Sequence, residues 1–191
     1  MKSLKGSKTE KNLLAAFAGE SQARNRYTYA ASKAKKEGYE QIAAIFSDTA
    51  DNEKEHAKVF FAFLEGGDVE ITAAYPAGKV GTTLENLKAS AAGEHFEWTT
   101  LYAKFAAIAA EEGYPEVAES FRHISISEKG HEARYAALAK NIIENKVFAK
   151  GKPAKWRCRN CGYITEAAGA PDKCPACQHP KDYYEIGAEN Y

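Results

Sequence analysis

The sequence contains the pattern Glu-x-x-His twice, each time where a helix should be apolar. Glu53 and His56 are three residues apart and so share one face of a helix, and Glu128 and His131 repeat the arrangement. Apolar residues at helical spacing flank both pairs, which places them on the seam that should face the core. A carboxylate and an imidazole on a buried seam are costly unless something compensates them. The fold must therefore be one whose core accommodates charge.

Most of the chain consists of helical patterns that occur as two related pairs. The patterns predict four helices, at about 9–36, 39–65, 82–112 and 115–145. KEGYEQIAAIFSDTADNEKEH (36–56) matches EEGYPEVAESFRHISISEKGH (111–131) at a constant offset. The preceding helices also match, AAFAGESQARNRY against ASAAGEHFEWTTLY, and both carry Gly-Glu. Two helix pairs joined by a longer crossover predict a mostly α protein built on a four-helix bundle.

The first helix of each pair adds a carboxylate to its own seam. These are Glu20 on the first helix and Glu94 on the third, where Glu97 follows one turn later. Five buried carboxylates repel one another strongly, and two imidazoles cannot compensate them. Two metal ions would, and oxygen with imidazole ligands favours iron or manganese over copper or zinc. One Glu on each of two helices, with Glu-x-x-His on the other two, is the di-iron carboxylate pattern.

Two further features accompany this ligand set. Glu97 has no acidic counterpart on the first helix, where Ala23 or Arg24 stands, so the two metals should be inequivalent. Tyr27 and Tyr102 each lie about two turns after a seam glutamate and should lean inward. They are candidates to hydrogen-bond ligating carboxylates, with plain core tyrosines as the alternative.

The last part of the chain carries a second metal motif. Its four cysteines form two C-x-x-C pairs separated by twelve residues: Cys158, Cys161, Cys174 and Cys177. This spacing predicts a tetrahedral thiolate site, with structural zinc or redox iron as the metal. The module, 156–191, is too short to build much core, so its metal should contribute folding energy. We expect domain bounds of 1–146 for the bundle and 147–155 for a linker.

Composition excludes several other classes of function. The 26 basic and 26 acidic residues give no net charge, which disfavours nucleic acid as a partner. No apolar run approaches the ~20 residues that a membrane span needs, and the charged start has no secretory signal. Since all the cysteines fall in the two C-x-x-C pairs, we expect a reducing cytoplasm.

Taken together, these residues resemble the rubrerythrin family over essentially the whole chain. The resemblance rests on the paired Glu-x-x-His bundle, the surplus Glu97 and the CGYI and CPAC segments, which are similar to rubredoxin knuckles. It implies a ferritin-like di-iron four-helix bundle followed by a small rubredoxin-like metal-binding domain of β and loop structure. Gly130, where a bulky apolar residue is more usual, and Ala30, where an aromatic one is common, depart from the family pattern.

The resemblance also implies roles for individual residues. Glu53 and Glu128 would bridge the two irons, Glu20 and Glu94 would be terminal ligands, and His131 would bind the second iron. The first iron would move between Glu97 when oxidised and His56 when reduced. Tyr27 and Tyr102 would line the site, and the four cysteines would hold a third iron, with zinc as the alternative.

The function that follows from the resemblance is peroxidase activity in defence against oxidative stress. Hydrogen peroxide would be reduced to water at the di-iron site, and the four-cysteine iron would return electrons singly. The electrons would come from an NAD(P)H-dependent reductase or a separate rubredoxin, and transfer between the chains of a homodimer is expected. Three other functions stay open: a ferroxidase or oxygen reductase, an iron-handling ferritin-like protein, and a zinc-ribbon interaction protein with an inert bundle.

Overall fold

The bundle consists of four long helices, of which the third is interrupted. The computed structural model describes residues 2–189. The helices are α1 (Lys8–Lys36), α2 (Glu40–Ala62), α3 (Thr83–Phe96), α4 (Tyr102–Glu111) and α5 (Pro115–Ile143). A π-helical turn, Glu97–Leu101, joins α3 to α4 into the third long helix. The mostly α fold with a small C-terminal sheet confirms the predicted class.

Local signals in the sequence account for the helix ends. The Ser7 side chain caps α1 by accepting a hydrogen bond from the Glu10 backbone N–H, and Thr82 and Glu85 form a capping box before α3. Gly38 and Gly113 have φ of +81° and +84° and turn the chain between the helices of each pair. The two helix pairs are thus built with the same turn, as their sequence repeat predicts.

The apolar core is divided into two clusters by the charged seam residues. One cluster includes Leu13, Phe60 and Phe121, and the other includes Phe46 and Tyr135. Both clusters draw on α1, α2 and α5, so the four helices of one chain enclose the polar residues between them. The carboxylates therefore lie in the middle of a dry bundle, where charge is most costly.

The C-terminal module is a three-stranded antiparallel sheet with the strand order β2-β1-β3. The strands are β1 (Ala149–Cys158), β2 (Ile164–Gly169) and β3 (Tyr184–Ile186). Trp156, Cys158, Cys174 and Tyr184 are buried and form its small core. The predicted linker 147–155 differs from the structure, since its residues 149–155 belong to β1. Only Trp156 and Cys158 of β1 are buried, so this strand has no apolar alternation to reveal it.

The module lies against one end of the bundle. The ring of Phe148 stacks on Tyr39, at the N-terminus of α2, with centroids 6.2 Å apart, and Asp182 lies over Gly38. Among residues 2–189 no helix is long and apolar enough to cross a membrane.

Candidate metal centres

The seam residues of the bundle come together as two overlapping groups of potential ligands. The first group is Glu20, Glu53, His56 and Glu128, and the second is Glu53, Glu94, Glu128 and His131. In each group, one ligand atom per residue lies within 4.8 Å of the others. Glu53 and Glu128 belong to both groups, so two metal ions bound there would be neighbours that share these carboxylates.

The polar atoms of these groups are buried and lack ordinary partners. Within the described range 2–189, one oxygen each of Glu20, Glu53 and Glu94, both oxygens of Glu128, and Nδ1 of His131 take part in no hydrogen bond of good geometry, although some of them lie close together. Buried polar atoms in native proteins are nearly always satisfied, and exceptions commonly mark an ion or a reactive group. A carboxylate–imidazole donor set of this kind fits two hard metal ions, since their charge would satisfy all of these atoms at once.

Both histidines point the same ring nitrogen at the carboxylates. Nδ1 of His56 lies 2.9 Å from Oε2 of Glu53 and 2.9 Å from Oε1 of Glu128. Nδ1 of His131 lies 2.8 Å from Oε2 of Glu128 and 3.2 Å from Oε1 of Glu53. Each imidazole therefore approaches both of the glutamates that the two groups share.

The pKa values of the metal-free site show how much positive charge it needs. Burial raises the pKa of Glu94 to about 7, and burial followed by repulsion from Glu128 raises that of Glu20 well above its usual value. Burial disfavours the charged form of His56 and His131, but the close approach of each ring to the Glu128 and Glu53 carboxylates outweighs it. Their pKa values rise to about 10 and about 12. Protons thus occupy the place of cations, and metal binding would release them.

Tyr27 and Tyr102 bind carboxylates across the bundle. The Tyr27 hydroxyl on α1 donates to Oε1 of Glu94 on α3, and the Tyr102 hydroxyl on α4 donates to Oε1 of Glu20 on α1. Both tyrosines are buried, and both contact the glutamate of the other helix pair. They hold one oxygen of each glutamate and leave the second oxygen facing the ligand groups.

The π-helical turn begins at Glu97, the carboxylate that has no counterpart in the first half. Glu94 and Tyr102 are one residue further apart in the sequence than their counterparts Glu20 and Tyr27. A π-helical turn is the structural form of such an insertion and often occurs at functional sites. Among residues 2–189, Glu97 belongs to neither ligand group. It is half-buried beside them, and burial followed by repulsion from Glu94 raises its pKa.

Asn52 is a site residue that the sequence interpretation missed. Its Oδ1 lies 3.2 Å from Nε2 of His131, on the side of the ring opposite the carboxylates. Histidine ligands usually donate their second ring N–H to such a partner, which fixes the orientation of the ring. Asn52 directly precedes Glu53 on α2, but nothing in its helical register distinguishes it from an ordinary surface asparagine.

The two departures from the family pattern lie outside the ligand groups. Gly130 is exposed, and a Cβ added there would meet no atom within 4 Å. Ala30 is buried in the apolar cluster that contains Tyr27 and Phe46. Neither residue belongs to a ligand group, and of the two only Ala30 takes part in the packing around the site.

The four cysteines form a separate cage in the C-terminal module. Cys158 and Cys177 have their sulfurs 3.8 Å apart, and Cys161 and Cys174 have theirs 3.7 Å apart. These separations exclude disulfides, whose S–S distance is about 2.05 Å. A tetrahedral metal with bonds of ~2.3 Å to sulfur requires an S···S separation of about 3.8 Å, so the cage has the size for such an ion. A backbone hydrogen bond from His179 lowers the pKa of Cys177 to about 6, which favours its thiolate.

Comparison with known proteins assigns both parts of the chain. The rubrerythrin family model matches residues 11–139, and the model for the rubredoxin-like domain of rubrerythrin matches residues 156–185. Rubrerythrin from Nitratidesulfovibrio vulgaris is 59% identical over 191 residues and covers all of both chains. Rubrerythrin from Porphyromonas gingivalis is also 59% identical, over all of this chain and 95% of its own.

Solved structures agree with this assignment. Nigerythrin in its fully reduced, all-ferrous state is 34% identical, with a TM-score of 0.64, and covers 97% of this chain and 89% of its own. Bacterioferritin from Desulfovibrio desulfuricans, described with a diiron site, is 24% identical with a TM-score of 0.63 and covers 73% and 82% of the two chains. At that identity it supports the ferritin-like fold alone.

The matches explain why one chain carries two kinds of metal site. The bundle provides the di-iron carboxylate site of a ferritin-like fold, and the four cysteines provide the metal site of a rubredoxin-like domain, which suggests electron transfer. Both parts occur in the order and with nearly the length of the relatives. The chain is therefore an oxidoreductase-type protein of the rubrerythrin family.

Proposed function

We propose that this protein reduces hydrogen peroxide to water, as a cytoplasmic defence against oxidative stress. The observation that carries the proposal is the pair of ligand groups that share Glu53 and Glu128, on the same chain as a four-thiolate site. Two ferrous ions in these groups would supply both electrons to the O–O bond together, which avoids a free hydroxyl radical. The four-cysteine iron would then return electrons one at a time.

The ligand roles follow the two groups. Glu53 and Glu128 are proposed as the bridging ligands, Glu20 and Glu94 as terminal ligands, and His131 as the ligand of the second metal. His56 lies in the first group where Glu97 does not, which corresponds to the arrangement that the family resemblance assigns to the reduced state. Glu97, one helical turn from Glu94, is the proposed alternative ligand after oxidation.

The surrounding side chains orient these ligands. Tyr27 and Tyr102 each hold one oxygen of a terminal glutamate, so that the other oxygen is directed at the metal position. Asn52 accepts from Nε2 of His131 and thereby keeps Nδ1 free to bind. The apolar clusters above and below the site exclude water, which strengthens each of these electrostatic contacts.

Electron transfer between the two chains of a homodimer is part of the proposal. The module contacts the bundle near Tyr39 and Gly38, whereas Glu53 lies thirteen residues further along α2 than Glu40. That stretch of helix is about 20 Å long. Electron transfer slows steeply with distance, so a partner chain that brings its own module closer would be faster. The external donor is proposed to be an NAD(P)H-dependent reductase or a separate rubredoxin.

The test is a single turnover of the reduced protein in the absence of oxygen. The metal-loaded chain is reduced and freed of reductant. It is then mixed rapidly with hydrogen peroxide or, separately, with dioxygen, while the absorption of the di-iron site and the red colour of ferric tetrathiolate iron are recorded. We expect peroxide to oxidise the di-iron site much faster than dioxygen, with the red colour following.

Two other outcomes would overturn parts of the proposal. Equal or faster oxidation by dioxygen would make the protein an oxygen reductase or ferroxidase. Failure of the red colour to develop in protein from iron-replete anaerobic cells would show that the cysteines hold zinc, and the electron relay would then be wrong. A Cys174→Ser variant is the matched control, since it should lose the red signal and keep the first oxidation of the di-iron site.

A further inference from the structure

A cavity lies beside the di-iron site, in the groove between α1 and the third long helix. Its volume is about 660 Å³. The crossover segment 70–76 covers it. The Tyr75 hydroxyl holds this segment against α1 by donating a hydrogen bond of 2.8 Å to the carbonyl of Ala15. Glu97 and Tyr102 are part of its wall, so the cavity reaches both the surplus carboxylate and a residue that holds Glu20.

The size of this cavity does not match hydrogen peroxide. A water molecule occupies about 30 Å³ in the liquid, and hydrogen peroxide is only modestly larger. Cavities of ~300–1,000 Å³ are those that take ligands of the size of a drug or a metabolite. The space beside Glu97 is therefore more than ten times what the substrate of the proposed function needs.

The wall of the cavity is mostly apolar. Ala16, Leu101 and Phe105 contribute to it, and Phe96, which is 53% exposed, stands where the cavity meets solvent. Asn12 also contributes to the wall. The ligand that fits such a wall carries a sizeable apolar group.

Two glycines lie in the wall of this space. Gly19 and Gly93 precede Glu20 and Glu94 at equivalent places in the two helix pairs, and both line the cavity. Neither has the positive φ that requires glycine, and each costs about 1 kcal/mol relative to alanine within a helix. A Cβ on Gly93 would meet no atom within 4 Å, so packing does not require glycine there either. A side chain longer than alanine at position 93 would therefore extend into free volume of the cavity.

We propose that the cavity binds the apolar group of organic hydroperoxides and that this protein reduces them to alcohols. The inference rests on the proposed function, because it uses the same two electrons. In R–O–O–H the O–O bond breaks, the di-iron site is oxidised by two electrons, and two protons from solvent complete R–OH and water. The apolar group R occupies the cavity while the hydroperoxide end lies at Glu97.

The test compares cumene hydroperoxide with hydrogen peroxide in single turnovers of the reduced metal-loaded protein. Gly93→Leu would fill the cavity, and Gly93→Ala would add only a Cβ. Gly130→Leu is the matched control, since Gly130 also adjoins a ligand in mid-helix but faces solvent. We expect Gly93→Leu to slow oxidation by cumene hydroperoxide at least tenfold more than oxidation by hydrogen peroxide. Gly93→Ala and Gly130→Leu should change the ratio of the two rates less than twofold.

A second measurement does not depend on turnover. Equilibrium dialysis of the oxidised protein against 2-phenylpropan-2-ol, the alcohol product, should show one saturable site. Gly93→Leu should weaken its binding at least tenfold, and Gly130→Leu should leave it unchanged.

The outcomes separate the two proposals. Rapid oxidation by hydrogen peroxide with neither oxidation by cumene hydroperoxide nor binding of the alcohol would overturn the inference and leave the proposed function standing. Slow oxidation by both hydroperoxides would overturn both proposals. Equal effects of Gly93→Leu and Gly130→Leu on the rate ratio and on binding would show that the cavity is not the site.

Discussion

The two helix pairs of the bundle are built alike, and one residue makes them different. Glu53 and His56 on α2 have equivalents in Glu128 and His131 on α5, at the same offset along the chain. In the first pair α1 is an unbroken helix, whereas in the second a π-helical turn at Glu97–Leu101 divides α3 from α4.

The π-helical turn keeps Glu94 and Tyr102 on the same inner face of the third long helix. Seven residues are close to two turns of an α-helix, so Glu20 and Tyr27 point the same way. Eight residues overshoot two turns by about 80°, which would carry Tyr102 away from the face of Glu94 in a regular helix. The π-helical turn absorbs the extra residue and leaves Tyr102 inside. An insertion can thus add a carboxylate without disturbing the ligands on either side.

The largest loss of metal is expected on removal of a glutamate that both ligand groups share. Glu53→Ala or Glu128→Ala should each release both metals of the bundle, because each glutamate belongs to both groups. The loss of affinity should exceed the roughly 10–100-fold that removal of a ligand's hydrogen-bond partner costs. Metal content per chain checks this prediction, with the four-cysteine metal retained. Glu55→Ala, an exposed neighbour on α2, should keep both metals. Retention of one bundle metal in Glu53→Ala or Glu128→Ala would show that the halves bind independently.

Removal of the Glu97 carboxylate should make the two helix pairs equivalent in the metal ligands that they supply. In Glu97→Ala we expect both bundle metals to stay bound, because Glu97 is in neither ligand group among residues 2–189. Oxidation by peroxide should slow on the order of 100-fold, equivalent to about 2.7 kcal/mol of barrier. Rapid mixing of the reduced variant measures this rate, and Glu119→Ala, on the exposed face of α5, is the control. An unchanged rate would show that the asymmetry is structural only.

The pH dependence of the stability of the metal-free protein tests whether the site between the two helix pairs keeps extra protons in the folded state. Folding raises the pKa of Glu94 to about 7 and of His56 to about 10, so the folded state keeps protons that the unfolded chain has lost. The protonation of Glu94 stabilises the folded state fully below an unfolded pKa of about 4.5, and that of His56 below about 6.5, so the stability of the metal-free protein should fall as the pH rises from about 5 toward 9. One pKa unit is about 1.36 kcal/mol. The Tm should fall over this range by about 2–4 °C for each kcal/mol of stability that is lost.

Thermal melts with and without metal check this dependence. The metal-loaded protein should change less over the same range, because the metals replace the protons. A metal-free protein that becomes more stable with rising pH would contradict the assignment of protonated groups to the site.

Smaller effects on metal affinity are expected for Tyr27 and Tyr102, since each donates a hydrogen bond to the glutamate of the other helix pair. Tyr27→Phe and Tyr102→Phe each remove a hydrogen bond to a buried carboxylate of the other half. Each should lower metal affinity roughly tenfold, the lower end of the range for such partners. Metal titration measures both variants, and Tyr29→Phe, exposed on α1, is the control. A loss confined to one variant would show that the two halves contribute unequally to metal binding.

The smallest effect concerns Gly130, whose counterpart in the first half is Glu55. Gly130→Ala should stabilise the protein by about 1 kcal/mol, since the site of the new methyl is open and the helix gains propensity. Tm should rise by roughly 2–4 °C. Gly113→Ala is the opposite control, because its φ of +84° disfavours alanine. A destabilised Gly130→Ala would show that this glycine has a packing role.

The sequence predicted the bundle, and it predicted that most of the seam glutamates and histidines would cluster, because buried charge is rare. Glutamates and histidines on apolar seams admit few explanations, and the constant offset between the repeats tied the two halves together. The π-helical turn was not predicted, because a change of one residue in the repeat spacing alters no propensity. The tyrosines were expected to serve nearby carboxylates, but which helix pair each would contact depends on tertiary packing. Asn52 and strand residues 149–155 were missed because no pattern in the sequence identifies them, and only their contacts in the folded chain do.

The crossed hydrogen bonds have a consequence for how such a chain can be divided. Each helix pair supplies the tyrosine that orients the other pair's glutamate, so neither pair alone has a complete site. Two separate peptides cut in the crossover, between α2 and α3, should therefore bind metal only after they associate. A duplicated helix pair that paired with a copy of itself would form the same bonds across a twofold axis. The constant offset between the two halves is what a duplication of such a self-pairing helix pair would leave in the sequence, and a single chain leaves one half free to differ from the other at Glu97.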